Sequence, residues 1–307
     1  MSTHQPFTAL RAAIFAAVVA VMVPVPAGAA AARAERAAAE AVVEAVQMPA
    51  WVERGGANIP IAPGMELRGQ DRIRTGPDAR ILLRTAEGSS VKLGERGSLL
   101  LENVRMQRKE NVFEATMNVF EGAFRFTTNA LVKFRGRRYV QVTISGVTAG
   151  VRGTDLWGKA APDRDVVCLI EGVIEVRRGA EAPFVMDQPL SFYIAPKNKP
   201  ALPVAPVSKE QLEQWATETD IQVGRGAARR GGKWKVVLAT VETQAEALRV
   251  YDAVRAEGYA AQIRPEDQQG KHVYNVRLAQ LPSKAEAQAL ADSLRGKMGV
   301  AEPKVSR

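Results

Sequence analysis

The sequence predicts a multidomain chain: an all-β region over residues 51–195, then an α+β unit over 233–307 with ferredoxin-like βαββαβ order and a four-stranded antiparallel sheet. Two observations predict it. The C-terminal stretch contains an internal duplication. Trp234-Lys-Val-Val-Leu-Ala-Thr-Val241 lies over Tyr274-Asn-Val-Arg-Leu-Ala-Gln-Leu281, and Thr243-Gln-Ala-Glu-Ala247 lies over Ser283-Lys-Ala-Glu-Ala287. Two copies are too few for a solenoid and indicate a two-fold unit instead. Ahead of it, β-forming runs recur roughly every eight to twelve residues between turn signals, the spacing of an all-β domain. The 307 residues suffice for two domains, and 46% hydrophobic content supplies their cores.

Met1 to Arg11 is short and polar, Ala12 to Val25 is an uncharged apolar run, and Ala27-Gly-Ala29 offers small residues. Together these read as a secretory signal peptide over 1–29, cleaved near Ala29. An uncleaved inner-membrane anchor competes with it, because no charge follows until Arg33; Pro24, Pro26 and the short apolar core favour cleavage. No cysteine follows the run, so lipid attachment there is excluded. Either reading places the body of the chain outside the cytoplasm, in the periplasm. Residues 30–50 are rich in Ala, Glu and Arg, which predicts a helical spacer with a weak apolar stripe.

From Trp51 the texture turns to β. Ile81-Leu-Leu83, Val91-Lys-Leu93 and Leu99-Leu-Leu101 are separated by Thr75-Gly-Pro-Asp78, Glu87-Gly-Ser-Ser90 and Gly94-Glu-Arg-Gly97. Gly supplies positive φ and Pro presets a turn, so these dividers have a mechanism. Further strands are expected at Val112 to Phe120, Ala123 to Thr127, Tyr139 to Ile144, Val166 to Ile170, Val173 to Arg177 and Phe192 to Ile194. Residues 196–232 read as a linker. Pro196 to Pro206 is too Pro-rich to pair. Ser208-Lys-Glu-Gln211 caps a short helix with Leu212 and Trp215 on one side. Gly224-Arg-Gly-Ala-Ala-Arg-Arg-Gly-Gly232 is a flexible basic tether that could touch an anionic polymer.

In the C-terminal unit Trp234, Val236 and Leu238 alternate with Lys235, Val237 and Ala239. Thr243 to Glu246 caps a helix that buries Ala247, Val250, Tyr251 and Val254, and Gly258 stops it. Tyr259 to Arg264 is the second strand, and Gly270 opens the third, His272 to Ala279. Ser283 to Glu286 caps a second helix carrying Ala287, Leu290, Ala291 and Leu294 inward, and Val300 to Ser306 is left for the last strand. Both helices can pack on one side of the sheet. By parity the open side carries Lys235, Val237 and Ala239, then Gln262 and Arg264, then Asn275 and Arg277, a groove for an extended polymer.

The chemistry-bearing residues exclude more than they include. Cys168 is the sole cysteine, which removes a disulfide framework and a cysteine zinc site, and its apolar run Val166-Val-Cys-Leu-Ile170 marks a buried structural thiol. Only His4 and His272 are imidazoles, so no Ser/His/Asp or Cys/His set assembles. A carboxylate-pair glycosidase survives composition alone, yet no carboxylate sits in an apolar stretch except Glu171, at an expected turn. Gly146 to Thr154 is glycine-rich without the Gly-Lys-Ser/Thr of a P-loop, and its glycines read as tight turns; Asp155 and Asp163 read as turn residues. The chain is therefore expected to be no enzyme and to need no cofactor or metal. A net charge of +9 favours an acidic partner without choosing one. Base stacking needs aromatics on the exposed strands. Trp234 and Tyr274 fall on the helix side, so nucleic acid is not expected as a partner.

Gly69-Gln-Asp-Arg-Ile-Arg-Thr-Gly76, Ala79-Arg-Ile-Leu-Leu-Arg84, Glu87-Gly-Ser-Ser-Val-Lys-Leu-Gly94 and above all Val147-Thr-Ala-Gly-Val-Arg-Gly-Thr-Asp155 resemble the FecR domain family, over about 51–195. The resemblance implies an extracytoplasmic β-solenoid or sandwich-like module that acts as a scaffold or in sensing, with an envelope protein as partner. Some members hold sigma factors through a cytoplasmic N-terminal domain; the short stretch ahead of the apolar run leaves no room for one.

The C-terminal unit resembles the SPOR domain family through Trp234 to Val241, Gly258-Tyr259, Tyr274 to Leu281 and both Ala-Glu-Ala helix starts. That resemblance implies binding of peptidoglycan glycan strands, preferentially stripped of stem peptides, through the open sheet face, often in cell-division proteins. The implied contacts are Lys235, Val237, Gln262, Arg264, Asn275 and Arg277. Val237, Ala239-Thr240, Asn275 and Ala279 depart from the family's pattern, which bears on affinity more than on fold. The alternative is an envelope signalling protein whose SPOR-like unit serves only protein interaction or structure.

Overall fold

The computed structural model describes residues 40–128, 136–268 and 270–307, with Arg152 described by its backbone. The expected leader or anchor lies outside the described residues. No described helix is long and apolar enough to cross a membrane.

The first part is a 16-stranded sheet. Its short strands are β1 (Ala41–Gln47), β2 (Ala50–Arg54), β3 (Ala57–Pro60), β4 (Glu66–Leu67), β5 (Asp71–Thr75), β6 (Arg80–Thr85), β7 (Ser90–Leu93) and β8 (Ser98–Gln107). Four longer ones follow: β9 (Val112–Thr127), β10 (Arg137–Ile144), β11 (Val147–Ala160) and β12 (Arg164–Arg178). The sheet ends with β13 (Phe184–Met186), β14 (Ser191–Pro196) and β15 (Ala205–Pro206). Period-two burial, as in β6 and β14, gives each strand one face in a shared core that includes Val43, Ile73, Leu83, Phe113, Phe124, Phe126, Ile144 and Leu169. Burying a side chain of this size contributes roughly 1.5–3 kcal/mol.

The strands foreseen at Val112 to Phe120 and Ala123 to Thr127 are one strand that changes partners. The first half of β9 pairs with β8 and, in parallel, with β10; the second half pairs with β7 and β11. The motif Val147 to Asp155 forms no tight turn. It lies within β11, whose register on β12 shifts between Arg152 and Asp155, opposite Glu171 and Gly172. Gly172 has φ +94°, and a Cβ there would stand 2.5 Å from Thr154 Cγ2, so both the conformation and the close approach require glycine. Asp155 is likewise not a turn residue. It accepts from Arg125 Nε at 2.9 Å, Arg125 Nη2 at 2.7 Å and Thr127 Oγ1 at 3.1 Å, and this bond raises the Arg125 pKa against the opposing effect of burial. The motif thus builds the bulge at which β11 passes from β10 to β9.

The helical spacer is overturned over its last part: residues 41–47 are β1. Helix propensity is a small preference that tertiary pairing overrides, and here the β-branched Val42, Val43 and Val46 lie in a strand whose six-pair register on β6 buries Val43 and Val46. The expected linker over 196–232 is also ordered. β15 pairs with β14 through Ser191↔Pro206 and Phe192↔Ala205, a sheet end that tolerates proline. Helix α1 (Lys209–Thr219) carries the expected Ser208 cap, with Gln211 N–H donating to Ser208 Oγ at 3.2 Å. It lies on the outer face of the sheet. Trp215 stacks on Trp157 at 4.6 Å, Lys159 pairs with Glu218 at 2.7 Å and Lys92 with Asp220 at 2.5 Å. Cys168 is buried in this second, smaller core, where desolvation pushes its thiol pKa up to about 12. The basic tether contains β16 (Ala228–Arg229), which pairs antiparallel with β1.

The second part comprises β17 (Trp234–Val241), α2 (Gln244–Ala256), β18 (Gln262–Gln268), β19 (Lys271–Leu281), α3 (Lys284–Leu294) and β20 (Lys304–Ser306). Strand order is β18-β19-β17-β20, all antiparallel. Val236, Leu238, Val276 and Leu278 meet Ala247, Val254, Leu290 and Leu294 in one core, with Trp234 and Tyr274 packed against it. This is the βαββαβ unit with both helices on one side.

Candidate functional site

Among the contacts that join the two parts, two centre on Gly258 and Glu286. The α2 end stops at Gly258, φ +85°, where a Cβ would stand 2.5 Å from the Trp51 indole, and Ala50 N–H donates to the Gly258 carbonyl at 3.1 Å. The second point is Glu286. Its counterpart in the first repeat, Glu246, completes the expected cap by accepting from Thr243 Oγ1 at 2.7 Å. Glu286 instead turns back to the preceding segment. It accepts from the backbone N–H groups of Gly224 at 2.7 Å, Gly226 at 2.7 Å and Ala227 at 3.1 Å, and is only 7% exposed. A negative charge at a helix N-terminus is favourable as well.

The sheet face away from the helices is the candidate site. Register places Lys304, Val237, Arg277 and Gln262 in one row across all four strands. Paired residues share a face, so this row is contiguous. Beside it lies a second row of Thr240, Asn275 and Arg264, and Lys235 pairs with Ser306 at the other flank. Gln262 and Arg264 are exposed, while Lys235, Val237 and Arg277 are half-buried. None of Lys235, Arg264, Arg277 and Lys304 has a carboxylate within ion-pair distance among the described residues, and Arg277 Nε is buried without an acceptor.

Two placements differ from strand parity. Asn275 lies on the expected face but is 4% exposed and consumed internally, accepting from Thr240 Oγ1 at 2.6 Å and donating to Glu266 at 2.9 Å. It is a positioning residue beneath Thr240 and Arg264, not a free contact. Ala239 is not on the open face, because β17 bulges between Val237 and Ala239, which pairs Ala239 with the core residue Val276 and brings Thr240 outward. The second strand begins later than expected, at Gln262, and runs to Gln268 with Pro265 tolerated on the sheet edge. Sequence reasoning missed Lys304. Parity along β20 would have found it, but Pro303 obscured where that strand begins.

The face is rich in donors, and its carboxylate Glu266 accepts from Asn275. No group of three or more His, Cys, Asp or Glu side chains able to hold a metal occurs among the described residues. His272 is exposed at the far end of β19, 3.0 Å from Asp267.

Comparison with known proteins agrees with this geometry. Residues 71–175 match the FecR protein family, and residues 231–303 match the SPOR domain family. No curated protein matches the chain. Two crystal structures, each of a candidate anti-sigma factor from Parabacteroides distasonis ATCC 8503, align with it. One has 12% identity over 66% of this chain and 96% of the other, the second 14% identity over 77% and 98%, both at a TM-score of 0.38. A likeness at that level identifies neither fold nor function. The two family matches, in the order that the two folded parts occur, show a FecR domain over residues 71–175 followed by a SPOR domain over residues 231–303.

Proposed function

We propose that this is a non-catalytic protein of the cell envelope, exported to the periplasm, that binds peptidoglycan glycan strands through the open face of its SPOR domain. The carrying observation is the row of Lys304, Val237, Arg277 and Gln262 across all four strands, flanked by Lys235 and Arg264, which have no carboxylate partner among the described residues. A glycan strand is extended, rich in hydroxyls and bears lactyl carboxylates once its stem peptides are removed. Arg277 and Arg264 can donate to those groups with planar, charge-assisted hydrogen bonds. Val237 supplies an apolar spot in the centre of the row for a sugar's C–H face. The FecR domain serves as scaffold and as the surface for an envelope protein partner.

The test is co-sedimentation of the full chain with purified sacculi before and after amidase treatment. Retention is expected to rise after amidase and to fall roughly tenfold in Arg277→Ala, the loss of a charged hydrogen bond. Equal retention in all arms would sink the reading.

A further inference from the structure

The segment that joins the two domains ends in a basic turn, and that turn is pinned on both sides. Arg230 N–H donates to the Glu44 carbonyl of β1 at 2.9 Å, and Gly232 N–H donates to the Arg229 carbonyl at 2.9 Å. Gly231 has φ +83°, and a Cβ at Gly232 would stand 2.2 Å from the Gln280 carbonyl oxygen of β19. One position needs glycine for its conformation and the other for its close approach, so the backbone that carries the neighbouring cations is fixed. Cavities of about 480 Å³ and 280 Å³ flank the turn and share Arg229, Arg230 and Gly231 as walls. Charge here is unbalanced. In the larger cavity Glu44 already pairs with Arg84 at 2.9 Å and stands 3.9 Å from Arg229. The smaller one is walled by Arg229, Arg230, Lys233 and Arg307 with Trp234 and Pro282, and no carboxylate side chain lines it. Arg230, Lys233 and Arg307 are exposed and have no carboxylate within ion-pair distance among the described residues. Like charges held together by a fixed backbone repel one another, and an anion between them removes that cost.

We infer that the smaller cavity is a binding site for a diphosphate group. Three features select the class. Cations reach it from the turn, from the start of β17 and from the residue after β20, which suits a ligand with several negative oxygens close together. A single carboxylate would neutralise one cation and leave the others facing each other. Guanidinium groups match pairs of phosphate oxygens with their planar fork, and Arg230 and Arg307 are both free to do so. The space of about 280 Å³ holds a compact headgroup and leaves the rest of its molecule outside, at the domain junction. Trp234 packs into the SPOR core, so the wall it forms offers no open ring face for a nucleobase. A diphosphate can belong to a lipid headgroup or to a soluble ester, and the recognition chemistry is the same for both. The site stands apart from the sheet row centred on Val237 and Arg277, and neither site requires the other.

The probe is inorganic pyrophosphate, titrated into the full chain at constant ionic strength while the Gly231 and Gly232 amide resonances are followed by NMR. Both are expected to shift and saturate, and acetate at the same ionic strength is expected to leave them in place. Arg230→Ala is expected to weaken the binding about tenfold, the loss of a charged hydrogen bond, and Arg230→Lys to fall between, because the charge stays and the fork is lost. Arg230 is exposed and its backbone bond to Glu44 does not depend on its side chain, so the turn persists in both variants. Arg249→Ala, an equal change of net charge on the exposed side of α2, is expected to bind as the parent does. Arg277→Ala is expected to keep the pyrophosphate shifts while losing retention on sacculi, which separates failure of this site from failure of the SPOR face. Phosphatidylcholine vesicles carrying a polyprenyl diphosphate distinguish the two sources. Flotation of the chain that Arg230→Ala abolishes assigns the lipid, and pyrophosphate binding without such flotation assigns a soluble ester. Resonances that stay still at millimolar pyrophosphate overturn the inference. So does equal weakening in Arg230→Ala and Arg249→Ala, which marks a diffuse ion atmosphere, and so does capture by phosphatidylglycerol vesicles that pyrophosphate does not displace, which marks a membrane surface.

Discussion

Replacing Glu286 by Ala removes the acceptor of three backbone N–H groups at the junction of the two domains. Gly224 is exposed and can turn to water, but Gly226 and Ala227 are buried. Each buried N–H left unsatisfied costs about 1–3 kcal/mol, so the pair predicts a loss of roughly 2–5 kcal/mol after partial relaxation. The loss is local. Ala287, Leu290 and Leu294 still hold α3 on its sheet, and the SPOR core is untouched. Hydrogen exchange of the full chain therefore reads the effect better than a global melt. At 2 kcal/mol, the Gly226 and Ala227 amides should exchange about thirtyfold faster in Glu286→Ala. Glu286→Gln retains one neutral oxygen and should fall between. Exchange at both amides within threefold of the parent protein would refute the assignment of Glu286 as the clamp.

Gly258→Ala should destabilise the chain by about 1–3 kcal/mol, because the backbone is left-handed there and the methyl meets the Trp51 indole; Trp51→Ala in the same background should recover part of it in urea unfolding. Asp155→Ala leaves the Arg125 guanidinium half-buried and unpaired and should cost about 3 kcal/mol, more than Asp163→Ala in the exposed turn between β11 and β12; equal chemical stability of the two variants would refute the structural role given to the motif. The Cys168 thiol should resist alkylation in the folded chain at pH 8. Its pKa is raised on folding, so its contribution to stability is fully present below the ordinary thiol value of 9.0 and is lost as pH rises from there towards about 12; rapid labelling without unfolding would contradict its burial.

The duplicated C-terminal unit was legible because its information is local. Caps at Thr243 and Ser283, helix periodicity and strand alternation all lie within a few residues of the elements they specify. Parity placed Val237, Gln262, Arg264 and Arg277 correctly for the same reason. It failed at Ala239 because a bulge inserts one residue, and one residue inverts every face beyond it. Asn275 looked like a contact because its neighbour Glu266, which occupies its amide, comes from another strand. β1 and β16 were hidden by composition. An Ala-rich run reads as helix and an Arg/Gly run as tether until the distant partner is known, and each is the other's partner. The motif around Gly153 was visible, but its glycines read equally well as turn or bulge until β12 is seen opposite.

That pairing of β1 with β16 also fixes how the molecule meets a pull between its two ends. Ala45 sits opposite Arg229 and Val46 opposite Ala228, so the chain enters β1 and leaves β16 at the same end of the pair. Tension applied there peels the two strands apart one pair at a time and does not shear them together. β1 keeps its longer six-pair seam with β6 on its other side. Under such load the two-pair β16 seam parts before the six-pair β6 seam, while Gly258 against Trp51 and Ala50 still ties the SPOR domain to the FecR sheet.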